Sequence, residues 1–562
     1  MNGPSSRNVA QLIVQCLEHE GVDFVFGIPG EENLHIIDAL LDSSIRFITV
    51  RHEQGASFMA DMYGALAGKA AVCLATLGPG AINLALGIAN AQLDGHPLVA
   101  IVAQAGLDRT YRESHQVVDL GALFKPITKW VVTLNEPRSV AEVIRKAFKT
   151  AQSERAGSTV VILPEDVGSL PTPAAERPLI ANQLQDSTPN GRQIERAARA
   201  VASAKNPIVL AGPGTSRDRA CASLLQFSEH LDIPVATTFS GKGVFPEDHR
   251  NSIGAVGFML HDYGNFAFDD ADLVIAVGYD LIEYSPARWN TQRDKQIIHI
   301  HRLAAEVDGC YELTVGIEGN IAATLEALSR CCEPRTGRDR LTVERVRAQR
   351  MAELAAGRQD ASFPLKPQRI VSDIRAAVGL DDIVLSDTGA QKMWMARLFP
   401  CYRPGTFVIS NGLATMAFSL PGALGAKLAR PQARVLASMG DGSFLMNSQE
   451  LETAVRERIH FVVLVWVDGE YGLIKWKQEL ELGRSGYVKF GNPDFLLQAE
   501  SYGAQGVRIK AANELLPALE RALSFDGITI IECPVDYSEN LKLSSRLLAA
   551  SSTKLSDGPS VS

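Results

Sequence analysis

The strongest constraint on this chain is a pattern that recurs in three long blocks: a short apolar run, a glycine-containing turn, then a segment of helical periodicity. Strands covered by helices on both faces read as continuous apolar runs, so this alternation predicts α/β domains built on doubly wound parallel sheets. In the first block the predicted strands are Val22–Gly27, Ile48–Arg51, Ala71–Thr76, Leu98–Ala103 and Val160–Leu163. In the second they are Pro207–Ala211, Pro234–Thr237, Leu273–Val277 and Gln296–His301, and in the third Ile383–Ser386, Arg434–Ser438, Phe461–Val467 and Thr529–Glu532.

A chain of 562 residues exceeds what one core supports. Composition suggests where it divides. Proline-rich stretches and the polar run Asn182–Asn190 read as a linker, and the apolar-poor stretch Glu333–Asp360 reads as an exposed helix and second linker. The expected domains are 1–175, 190–335 and 364–545, with a disordered tail over 546–562.

Composition narrows the function classes. The net charge is −9 and no Lys/Arg run stands out, which argues against nucleic-acid binding. The eight cysteines form no C-x-x-C pair, as expected for reduced thiols. No basic-then-apolar leader and no run of eighteen apolar residues occurs, so cytoplasm is the expected compartment.

The sharpest local feature is Gly440-Asp441-Gly442-Ser443, after a predicted strand and before the helical run Asn447–Arg456. Ligands bind at the carboxyl ends of strands in such sheets. Glycines there let backbone N–H groups approach a phosphate, and Asp441 offers a hard oxygen to Mg2+. After one more helix and strand comes Asp468-Gly469-Glu470-Tyr471-Gly472. If the two strands are neighbours, Asp441 and Asp468 meet at a shared cation, with the Glu470 carbonyl as a third oxygen. Alone, the first motif is more often a plain turn; the pair is far more specific. In the first block, Glu53 stands at the start of a helix rich in small residues, where its unspecialised role is to complement the helix dipole.

Together these segments resemble the thiamine diphosphate (ThDP)-dependent enzymes. The motif over 440–474 is similar to their diphosphate–Mg2+ motif, which usually has Asn where this chain has Asp468; an acid there occurs in the acetolactate synthase branch. The resemblance implies Glu53 as the carboxylate that activates the cofactor's aminopyrimidine. It also implies Gly78, Pro79 and Asn83 as members of the loop beside that ring, and Gly30 as part of a glycine-rich loop facing the thiazolium. Ala414 is implied to offer its carbonyl to the 4′-amino group, and Met416 to wedge the cofactor into a bent shape, although a plain core role suits a methionine equally. Gly440, Gly442, Ser443, Tyr471, Leu473 and Ile474 complete the implied cofactor contacts.

Across nearly the whole chain the resemblance is nearest to the FAD-free, catabolic acetolactate synthases, carried by segments 40–53, 115–130, 278–290, 449–468 and 534–543. It implies decarboxylation of pyruvate and transfer of the hydroxyethyl fragment to a second pyruvate, giving 2-acetolactate. Gln116, with His115, is implied to orient the substrate carbonyl, and Phe124, Leu473 and Ile474 to wall a small methyl ketone; His115 reads equally as a solvated loop residue. Lys477 replaces a usual Gln, so it either binds the acceptor's carboxylate or points to solvent. The segments 238–243 and 246–249 resemble the biosynthetic branch instead. Gly212-Pro213-Gly214 argues only weakly for FAD. Because Glu53 and Asp441 lie in different domains, the resemblance implies a homodimer or tetramer with active sites between subunits. The rivals are a ThDP carboligase with another donor or acceptor, and a non-catalytic nucleotide-binding protein.

Overall fold

The computed structural model describes residues 7–181, 187–335 and 340–556. They form three six-stranded, all-parallel sheets, each flanked by helices. From edge to edge the first sheet runs Arg46–Thr49, Phe24–Gly27, Ala71–Ala75, Leu98–Gln104, Ser158–Pro164 and Trp130–Thr133. The third runs Phe407–Ile409, Ile383–Ser386, Val435–Gly440, Val462–Val467, Thr529–Pro534 and Gln505–Arg508. Numbered within each sheet, both have the order 2-1-3-4-6-5. The central sheet differs, with the order 3-2-1-4-5-6: Ser252–Ala255, Val235–Thr237, Pro207–Ala211, Leu273–Val277, Gln296–His301 and Val315–Glu318.

The inner strands are mostly apolar and buried; Leu98–Gln104 and Ser158–Pro164 have no exposed residue. That is the signature of a sheet covered on both faces. The first and third domains also share one core. Helix Glu53–Ala67, after the second strand of the first sheet, packs on helix Ser419–Ala429, which follows the second strand of the third sheet through a loop. The approach is close: a Cβ on Gly425 would lie 2.2 Å from the Met59 carbonyl oxygen.

The stretch read as an exposed helix and second linker forms the largely exposed helix Leu341–Gln359, anchored by the buried Val343 and Val346 and by ion pairs. Arg350 Nη2 pairs with Glu247 Oε2 at 2.5 Å, and Arg397 Nη1 pairs with Glu353 Oε2 at 2.8 Å. The expected tail is helical through Ser556, because Leu543 and Leu547 are buried against the third domain and Trp476 Nε1 donates to Ser544 Oγ at 2.9 Å. The remainder of that tail, 557–562, and part of the first expected linker, 182–186, lie outside the described residues. Among the described residues no helix is long and apolar enough to cross a membrane.

Candidate active site

In the order 2-1-3 the chain reverses direction across the sheet between strands 1 and 3, and the loops leaving those strands diverge to open a crevice. In the third sheet these loops are Asp387–Gly389, after Ile383–Ser386, and Asp441–Ser443, after Val435–Gly440. The resulting cleft is lined by Thr388, Gly389, Ala390, Gln391, Met416, Gly440 through Ser443, Asp468, Glu470 through Ile474, and Tyr537. Asp441 begins a helix directly, Asp441–Asn447, with a second helix Glu450–Arg456 behind it, so the glycine motif is itself a helix start rather than a loop ahead of one.

Val435–Gly440 and Val462–Val467 are parallel neighbours, with Gly440 in register with Trp466. Asp441 and Asp468 therefore leave the sheet side by side. Asp441 is buried; its Oδ1 accepts the Gly442 N–H at 2.9 Å, and its Oδ2 accepts the Gly469 N–H and Asn492 Nδ2, each at 2.8 Å. Burial, and then the Asp441 charge, push the Asp468 carboxyl up to about 7. Two desolvated like charges favour a cation between them. Glu470 commits its carboxylate to Lys475 Nζ at 2.5 Å, while its carbonyl accepts the Gly472 N–H at 2.9 Å and keeps a second lone pair. Among the described residues no three His, Cys, Asp or Glu side chains gather to hold a metal. Two carboxylates and a carbonyl suit Mg2+, which takes few protein ligands and completes its shell with phosphate and water oxygens.

The cleft fits a diphosphate as well. A Cβ on Gly442 would meet the Phe490 ring at 3.0 Å and the Tyr471 ring at 3.1 Å, so a side chain there would fill the cradle. Thr388 Oγ1 and Asn492 Oδ1 are buried without a hydrogen-bond partner. Above the cleft, Met416 lies in a loop with Ala414 at φ +56° and Ala417 at φ +71°. The buried Asp387 holds that loop: Oδ1 accepts the Ala417 N–H at 2.9 Å and Ser443 Oγ at 2.5 Å, and Oδ2 accepts Ser419 Oγ at 2.7 Å.

The first domain gathers a second group. Glu53 opens helix Glu53–Ala67 and accepts from Asn83 Nδ2 at 2.9 Å. A Cβ on Gly80 would stand 3.1 Å from Glu53 Oε1. Gly78, at φ +51°, precedes Pro79 at the start of helix Pro79–Asp94 and lies against Gln116, whose carbonyl oxygen a Cβ there would meet at 2.7 Å. Gly30 abuts Thr76 just ahead of that loop. His115 and Gln116 are exposed, the latter with φ +58°.

The remaining residues fall elsewhere. Phe124 is wholly buried in the shared core, and Lys477 is exposed on helix Gly472–Leu482, one turn beyond Ile474. Among the described residues none of the first domain lines the cleft of the third. Sequence reasoning missed Thr388, Gly389, Ala390, Gln391, Asn492 and Tyr537. Asp387-Thr388-Gly389 follows a predicted strand, but its place opposite Asp441 depends on the strand order.

Three family models match the chain: the thiamine pyrophosphate enzyme N-terminal TPP-binding domain over 7–123, the central domain over 194–328 and the C-terminal TPP-binding domain over 387–533. The catabolic acetolactate synthase of Raoultella terrigena is 37% identical, with 96% of this chain and 97% of that protein covered. The acetolactate synthase of Bacillus subtilis is 34% identical, covering 95% and 94%. A probable acetolactate synthase large subunit of Methanocaldococcus jannaschii is also 34% identical, covering 95% and 93%. With three matched domains in this order and relatives aligned end to end, the chain belongs to the acetolactate synthase family of thiamine pyrophosphate enzymes.

Proposed function

We propose that the protein is an acetolactate synthase of the catabolic, FAD-free type, which decarboxylates one pyruvate and joins the two-carbon remainder to a second to give 2-acetolactate. The observation that carries the cofactor reading is the pair of carboxylates Asp441 and Asp468 at adjacent strand ends beside a glycine cradle. When bound, ThDP would supply a nucleophilic carbon and a sink for the electron pair left when a 2-oxo acid loses CO2.

The chain's own groups divide the remaining work. Asp441, Asp468 and the Glu470 carbonyl would hold Mg2+, and the Gly440–Ser443 segment would receive the diphosphate. Glu53 exchanges a proton at its carboxylate with the aminopyrimidine, oriented by Asn83. Gln116 and His115 orient the substrate carbonyl, and Leu473 and Ile474 wall the acyl group. Lys477 faces the acceptor's carboxylate from the exposed side of its helix.

Because Glu53 borders no part of the cleft within one chain, the complete site needs a second copy, whose Glu53 reaches the first copy's cleft. The FAD-free part of the proposal draws support from close packing in the central domain. At its crevice a Cβ on Gly214 would lie 2.8 Å from the Gly278 carbonyl oxygen, and Arg217 fills the neighbouring space with ion pairs to Glu154 at 2.7 Å and Asp280 at 3.0 Å.

Incubation with ThDP, Mg2+ and pyruvate, read as acetoin after acid treatment, tests the proposal. Acetoin is expected. No acetoin but turnover of another 2-oxo acid would retain the cofactor chemistry and discard pyruvate as the substrate.

A further inference from the structure

Glu450 is a buried carboxylate that the reaction described above does not use. It opens the helix Glu450–Arg456 of the third domain and is fully enclosed. It reaches across to the first domain, where it accepts the Arg51 N–H at 3.2 Å and the His52 N–H at 3.0 Å; its remaining partner is the nearby Thr453 hydroxyl at 2.7 Å. These two amides immediately precede Glu53, and His52 is the N-cap of the Glu53 helix. Gly55 makes the approach possible, since a Cβ there would lie 2.6 Å from Glu450 Oε1.

Burying a carboxylate without a cation beside it is costly, and here burial pushes the group up to about 7. Both amides belong to the extended segment that sets where the Glu53 helix starts. Without an acceptor, the two N–H groups would lose their partner at the domain boundary and the segment would shift to find another.

We infer that Glu450 is a positioning residue: by holding the Arg51 and His52 amides it fixes the first turn of the Glu53 helix, and so sets where the activating carboxylate stands. This rests on the reading of Glu53 as activator. The same third domain that carries Asp441 thereby orients the activating residue of its own chain, through the short helix Glu450–Arg456 that follows the Asp441 helix.

The test uses the full-length protein and two readouts. The first is amide hydrogen exchange of residues 51–56 in the absence of cofactor. The second is the rate at which bound ThDP exchanges its C2 proton, normalised to bound cofactor. Glu450→Ala is expected to speed amide exchange at Arg51 and His52 at least ~10-fold. It should slow C2 exchange by ~10- to 100-fold, the scale of a displacement near 1 Å, while KM for pyruvate changes less than ~2-fold.

Glu450→Gln keeps an oxygen for both amides, so both rates should stay within ~3-fold of wild type. If Glu450→Ala fails to fold, Gly55→Ala serves instead. Its Cβ displaces the carboxylate although alanine favours the helix by ~1 kcal/mol, so the same slowing is expected. Wild-type C2 exchange in Glu450→Ala, or in Gly55→Ala where Glu450→Ala does not fold, would overturn the inference. Glu53→Gln is the separate control: if it retains C2 exchange, the activator reading fails whatever Glu450 does.

Discussion

Asn83 Nδ2 donates to Glu53 Oε2 at 2.9 Å, tying together the first turns of the two helices that follow strands 2 and 3 of the first sheet. One carboxylate oxygen is thus held by protein, while the other lies beside the bare backbone of Gly80. Glu53→Gln should cut CO2 release from pyruvate at least ~1000-fold, because the amide cannot move the proton. Asn83→Ala keeps the carboxylate but frees its rotation, and should cost ~10-fold in kcat. Single-turnover CO2 release measures both, and undiminished release in Glu53→Gln would reject the assigned role.

Asp441 receives an Asn492 side chain that sequence reasoning did not anticipate. Residues that orient a metal ligand typically cost ~10- to 100-fold in affinity when removed. Asn492→Ala should therefore weaken Mg2+ binding by ~10-fold, and Asp441→Asn by ~100-fold or more. Calorimetric titration of Mg2+ in the presence of ThDP measures this. Chelation of the metal should abolish the cofactor-induced rise in melting temperature, which for the loaded wild type at about 100 times Kd corresponds to ~2.7 kcal/mol.

Glu283 accepts from Ser240 of the central domain and, through its carbonyl, from Asn411 of the third, and burial followed by the Asp280 charge pushes its carboxyl up to about 7. A carboxyl raised on folding contributes stability that is fully present below its unfolded value near 4.5 and is lost as pH rises through about 7. Glu283→Gln removes that loss. Its melting temperature should match wild type near pH 4.5 and exceed it by ~2 °C or more at pH 8. A difference independent of pH would show that Glu283 does not titrate in this range.

Gly425 faces the Met59 carbonyl oxygen across the helix pair that joins the outer domains. Gly425→Ala improves helix propensity by ~1 kcal/mol yet places a Cβ where backbone already stands. Overpacking should win by ~1–3 kcal/mol and lower the melting temperature, as a thermal scan of the apo protein would read. An unchanged or raised value would mean that the two helices separate at little cost.

Edge strands mark where sequence reading stopped. All the inner strands were legible, because each is a buried apolar run such as Pro207–Ala211 or Leu273–Val277. The unread strands Trp130–Thr133, Ser252–Ala255, Val315–Glu318, Phe407–Ile409 and Gln505–Arg508 are all edges. An edge strand has only one neighbour, and these five are three or four residues long, too short for a period to show: Phe407–Ile409 is apolar over only three residues, and Gln505–Arg508 has no fully buried residue. The helix Leu341–Gln359 was legible as an exposed helix, but its ionic anchors were not, since they run through Arg350 and Glu353, and ions leave no hydrophobic period.

What the sequence alone determined is chemistry that lies in consecutive residues: parallel α/β blocks, a glycine turn with Asp441, and an acid one strand later. Whether those acids meet is a question of strand order, which no local pattern encodes. Only the tertiary structure made their strands neighbours and set Asp387 opposite the Asp441 turn. It also laid the Glu450 carboxylate on amides 399 and 398 residues away in sequence. Hydrophobic periodicity decides which residues are buried, but the packing of whole layers decides which buried groups touch.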